Sequence, residues 1–151
     1  MEMTPRTLEL YLDRAFDHML GVVDRLGDDR VNQRPLGPQT NAVAALVIHC
    51  CEVAEFWMGH VALGRPSRRD RAEEFSRTAS VSELHELVGA TRAQVVADLG
   101  RFEAGEGLDQ GGRQFLPGGD TSDGSVVLHV IEELFQHLGH MEIAADALGV
   151  D

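Results

Sequence analysis

Apolar residues recur at helical spacing in four stretches of the chain, and no stretch sustains the period-two alternation of a strand. In the first stretch, Leu8, Leu12, Ala15, Met19, Val22 and Leu26 predict a helix from about Thr4 to Leu26. Thr4 before Pro5 opens it, with proline at the first helical position, and Gly27 closes it. In the second, Val43, Leu46, Val47, Val53, Ala54, Trp57 and Val61 predict a helix from about Asn41 to Leu63. Thr40 or Asn41 is the expected cap, and Gly64-Arg65-Pro66 the stop. Leu84, Leu87, Val88, Thr91, Val95 and Leu99 mark a third helix, from Ser80 or Ser82 to Phe102. Ser80 has Glu83 three residues on, the spacing of a capping box. The fourth follows Asp123-Gly124-Ser125 and runs to Leu148, before Gly149. Long helices joined by loops predict an all-α fold, an antiparallel four-helix bundle with up-down connections, forming one domain over residues 1–151.

Two connections carry features of their own. Ser67–Ser80 is polar and holds Arg68, Arg69, Arg71 and Arg77, which read as a solvated surface or as a receptor for an anion. Glu103–Asp123 is long and rich in glycine; such a loop is usually functional or mobile, and here it is expected to cover a site. The charge balance, 13 basic against 25 acidic residues, argues against nucleic-acid and anionic-membrane partners, which need a basic face. No run approaches the ~18 apolar residues of a membrane span. Met1–Arg14 lacks the apolar core of a signal peptide, so a cytoplasmic location is expected. The two cysteines, Cys50 and Cys51, are adjacent, which excludes a disulfide framework and a Cys-rich zinc site. Every basic residue is arginine, a bias typical of a high-GC bacterial genome.

The densest chemistry lies in the fourth helix, between His129 and His140. His129, Glu133 and His137 share a face at four-residue spacing, with His140 beside them. On a helical wheel His137 and Glu133 turn most directly toward the apolar side, whereas His129 and Glu132 point further away. A carboxylate and an imidazole so placed form half of a metal site; they also form an ordinary surface ion pair worth a few tenths of a kcal/mol. His49, between Leu46 and Val53 on the apolar side of the second helix, supplies a further inward ligand. A single such histidine is more often a core residue bonded to a carbonyl, but two inward histidines with an inward glutamate favour a divalent metal. His60 lies ~16 Å along the same helix and is too far to join His49 at one ion. Cys50 and Cys51 read as soft-metal ligands or, more commonly, as small buried hydrophobes. Trp57 reads as a core anchor or a pocket wall.

The order of these features resembles the DinB-like superfamily, which includes bacillithiol and mycothiol S-transferases and the N-terminal domain of mycothiol-dependent maleylpyruvate isomerase. The resemblance rests on Val31-Asn-Gln-Arg-Pro35, on Asn41 to His49 leading into Glu55-Phe-Trp57, and on the His129/Glu133/His137 register ending in Gly139. Arg69-Asp-Arg-Ala-Glu-Glu-Phe75 is most similar to the mycothiol-associated branch. The resemblance implies a four-helix bundle holding a divalent metal, zinc or nickel, through His49, Glu133 and His137. Many members carry three histidines; Glu133 stands for the middle one, as in the isomerase branch. The isomerase's separate C-terminal domain has no counterpart in these residues, which favours a stand-alone transferase. The expected activity is transfer of a low-molecular-weight thiol, mycothiol, to a small electrophile. The cofactor's own thiolate would be the nucleophile, and Arg69, Arg71 and Trp57 would contact substrate. The family also implies a homodimer. Two other readings stay open: a non-enzymatic metal-binding or structural dimer, and a mycothiol-dependent isomerase or metal hydrolase, the last needing Glu132 or Glu52 near the metal.

Overall fold

The computed structural model describes residues 3–67, 69–71, 73–108 and 111–150, and it is all-helical among them. The first helix, α1, spans Pro5–Arg30. The Thr4 hydroxyl accepts the Thr7 N–H at 3.1 Å, as its position before Pro5 predicted. Gly27 breaks the helical path with φ 64°, a conformation open to glycine without a Cβ penalty. The second, α2, covers Val43–Ala54 and passes without a gap into a π-helix, Glu55–Val61. Its cap differs from expectation. Ala42, not Thr40 or Asn41, holds the cap position, and it lends no side-chain bond. The Ala44 N–H donates instead to the Val31 carbonyl at 2.9 Å, so the preceding loop satisfies a first-turn donor through its backbone.

The third helix, α3, spans Val81–Glu103 and carries the full Ser80/Glu83 capping box. The fourth, α4, spans Asp123–Ala147 and is capped by Ser122, so it starts at Asp123 rather than after Ser125. Asp123 therefore sits in the first turn, where a carboxylate suits the helix dipole, and pairs with Arg113. One apolar core draws on all four helices, with Leu12, Phe16, Met19, Met58, Leu84, Leu134 and Met141 sealed inside.

The connectivity is not the simple up-down order the helix lengths suggested. Asp24 meets His85, and Asp13 and Asp17 meet Arg92, so α1 and α3 run antiparallel. His49 meets His137 while Trp57 meets His129, so α2 and α4 are antiparallel too. The other neighbours run parallel. Arg25 and Glu142 pair near the ends of α1 and α4. Along α2 and α3, Cys51 meets Thr91, and Arg65, beyond the π-helix, grips Asp98. The sequence of directions is up-down-down-up. Because α2 and α3 point the same way, the linker between them must travel back along the bundle, from Ala62 at one end to Ser80 at the other. The glycine-rich loop has a shorter task and joins α3 to α4 at one end.

Candidate metal centre

The site is built where α2 and α4 face each other near mid-bundle. His49 and Glu133 come from opposing helices, and His137 lies one turn beyond Glu133. One ligand atom from each of His49, Glu133 and His137 lies within 4.8 Å of the others. The Glu133 Oε2 stands 3.6 Å from His137 Nε2 and 3.9 Å from His49 Nε2. The two imidazole rings meet edge to face at 4.6 Å. Two nitrogens and one carboxylate oxygen at this separation match the donor set of a divalent zinc-type site with a position left open.

The outward nitrogens support that fit. His49 Nδ1 lies 2.7 Å from Glu74 Oε2, so in the neutral ring the proton sits on Nδ1 and Nε2 faces the cluster. His137 Nδ1 lies 3.4 Å from His140 Nδ1, so it too has a polar neighbour away from the site. Burial, then the neighbouring His49, lowers the His137 pKa, which favours the neutral imidazole a metal requires.

Glu74 was not singled out from the sequence. It reads there as one charge among many in a polar linker, yet the structure buries it to 1 % exposure. Burial pushes its carboxyl up, but hydrogen bonds and charges from Arg69 and His49 outweigh this and bring it down to about 2. Arg69 holds both Glu74 oxygens and stands 5.3 Å from the Phe56 ring centroid. Glu52 lies next to Glu74 and pairs with Arg77 through Oε1, while its Oε2 is buried. Burial, with the negative charge of Glu74 beside it, raises the Glu52 pKa although Arg77 opposes. Phe75 covers the His49 ring at 4.8 Å. The segment expected to be solvated surface is therefore the wall of the site.

The other expected residues are placed as follows. Arg69 reaches the site, but its guanidinium is engaged by Glu74; Arg71 is exposed on the same linker, and Arg68 lies outside the described residues. Trp57 packs edge-on against His129 at 4.8 Å, one turn before Glu133. His129 is consequently more buried than its wheel position indicated, because the indole covers it. Glu132 is 63 % exposed at its side chain and points away, as predicted. The described residues of the glycine-rich loop are anchored away from His49. Its Leu108 N–H and Arg113 bond to the Ala62 carbonyl, more than three helical turns away, and the 62–80 linker does the covering instead.

Neither cysteine joins the ligand cluster. Burial pushes Cys51 up to about 12 and, with Cys51 and Glu133 nearby, raises Cys50 well above the usual thiol range. Both are buried thiols and poor nucleophiles.

A family model described as mycothiol S-transferase matches residues 7–148, nearly the whole chain. The chain belongs to the mycothiol S-transferase family. No curated protein and no solved structure matches it. No described helix of this mycothiol S-transferase family member is long and apolar enough to cross a membrane.

Proposed function

We infer that the protein is a divalent-metal-dependent transferase that joins a low-molecular-weight thiol, mycothiol, to a small electrophile. What supports this is the convergence of His49, Glu133 and His137, with Glu74 behind His49 and His140 beside His137, in a chain of this family. A divalent ion held there would supply the positive charge that lowers the pKa of a thiol at its open position. The chain's own residues do the positioning. Glu74 holds the His49 ring in the tautomer that presents Nε2, and Arg69 holds Glu74. Two neutral imidazoles with one carboxylate leave a divalent site at +1, which an anionic thiolate neutralises and so limits the cost of burying the charge. Phe75 and Trp57 limit water at the flanks. In the transfer itself the sulfur forms a bond to carbon, the leaving group departs with the electron pair of the broken bond, and the thiol proton passes to solvent. No serine, cysteine or lysine is required as nucleophile.

The test is a conjugation assay with several thiols and a fluorogenic bimane electrophile, with and without chelator. Turnover should require metal and be abolished by His49→Ala, Glu133→Ala or His137→Ala. Turnover that survives chelation refutes the mechanism. Absence of turnover with every thiol favours a metal-binding module instead.

A further inference from the structure

A cavity of about 310 Å³ opens between the start of α2 and the end of α4. Leu36, Leu46, Ile143 and Ala144 give it apolar walls, with Thr40, Asn41 and His140 as polar points. Leu46 precedes His49 by three residues and His140 follows His137 by three. On antiparallel helices each step is ~4.5 Å of rise, so the cavity occupies the next turn of the same groove that holds the ligand cluster. His140 belongs to both, since its ring meets the His137 ring at 5.4 Å. The remaining flanks are filled. Trp57 and His129 close the groove in the other direction, and Phe75 and Glu74 pack over His49. Room for a second substrate therefore lies on the His140 side.

The walls indicate the class of occupant. No arginine lines the cavity among the described residues, and Arg69 is held by Glu74. A dicarboxylate finds no guanidinium to pair with there, and a sugar-bearing thiol meets only Thr40, Asn41 and His140. Leu36 and Ile143, 54 % and 56 % exposed, stand at its mouth and would gain burial from an apolar guest. The volume is at the lower end of small-molecule sites, enough for one ring-sized body.

We propose that this cavity is the electrophile site and that it selects neutral electrophiles with an apolar, ring-sized body. The proposal deepens the thiol-transfer function above and rests on it. Binding is tested first, without chemistry: 4-nitrotoluene, an inert probe, is titrated by ligand-detected NMR into the full chain as purified. Wild type should bind it saturably. Ile143→Asp and Leu36→Asp, at exposed positions that the fold tolerates, should keep the wild-type circular dichroism and bind at least about tenfold more weakly. No saturable binding, or equal binding by both variants, overturns the proposal. The second arm compares 4-nitrobenzyl bromide with iodoacetamide, using one thiol. Ile143→Asp should lower kcat/KM for the aryl substrate at least about fivefold more than for iodoacetamide, because the aryl body fills more of the cavity. An equal loss for both substrates overturns the selectivity. A wild type that binds the probe but transfers no thiol refutes the function and not the cavity.

Discussion

Glu74 carries the most consequence of any single side chain outside the ligand cluster. It is buried, its Oε2 accepts from His49 Nδ1 at 2.7 Å, and Arg69 secures it. Carboxylates behind a ligating histidine typically contribute 10–100-fold to metal affinity. Glu74→Gln should weaken zinc binding by about that factor in a competition titration, while His85→Gln, on the far side of α3, should leave it unchanged. The cysteines should be silent. Burial pushes the Cys51 thiol far above the usual range, so it stays protonated at pH 8. A disulfide reagent such as Ellman's should therefore find no fast-reacting thiol in the folded protein and two after denaturation. Rapid native labelling of either would contradict their burial.

Among the elements, α3 has the most explicit start. The Ser80 hydroxyl accepts the Glu83 N–H, and the Glu83 carboxylate accepts the Ser80 N–H at 2.7 Å. Ser80→Ala should cost about 1 kcal/mol, measurable as a lower urea midpoint with unchanged slope. The Ser80 backbone bond lowers the Glu83 pKa from 4.5. A lowered folded pKa means the unfolded chain binds the proton more readily, so this stabilisation is complete above pH 4.5 and fades as pH falls below it. Ser80→Ala keeps that backbone bond and removes only the hydroxyl's bond to the same carboxylate, so only this smaller part of the deficit measured at pH 7 should fade at pH 3. The linker between α2 and α3 is the element that builds the site. Asn32 ties its end through Ala79, Arg34 bonds the Phe75 carbonyl, and Arg77 pairs with Glu52. These bonds hold Glu74 and Phe75 against α2.

For the whole molecule, the ligand cluster joins α2 to α4, so a bound metal should add to global stability. Zinc at about 100 times its Kd would add about 2.7 kcal/mol, since binding favours the folded state. In a chain of 151 residues that raises Tm by roughly 5–10 °C. Chelation should reverse the shift, and His137→Ala should remove it. The homodimer that the sequence resemblance implies is tested at this scale too, and Leu10 and Tyr11 stand about half exposed on α1. Light scattering that reports a monomer across micromolar concentrations would dismiss that assembly.

Read as a sequence alone, the chain already determines its helices. Spacing of Leu8 to Leu26 or Leu84 to Leu99, with Thr4, Ser80 and Gly27 as signals, is local physics, because a helix bonds residues four apart. His49, Glu133 and His137 were legible for the same reason: each lies on the apolar side of its own helix, and all three must then face the interior. Directions and adjacency were not legible. Up-down and up-down-down-up bundles bury the same stripes, and only the packing of α2 parallel to α3 selects between them. That choice sends the 62–80 linker back across His49, making Glu74 a buried partner and Phe75 a cover, although both look like parts of a charged loop. The cap of α2 was missed because its donor finds the Val31 carbonyl, a partner distant along the chain. His129 was misplaced because Trp57, on another helix, covers it. In each case the deciding contact joins residues far apart in sequence, and local periodicity carries no information about which ones will meet.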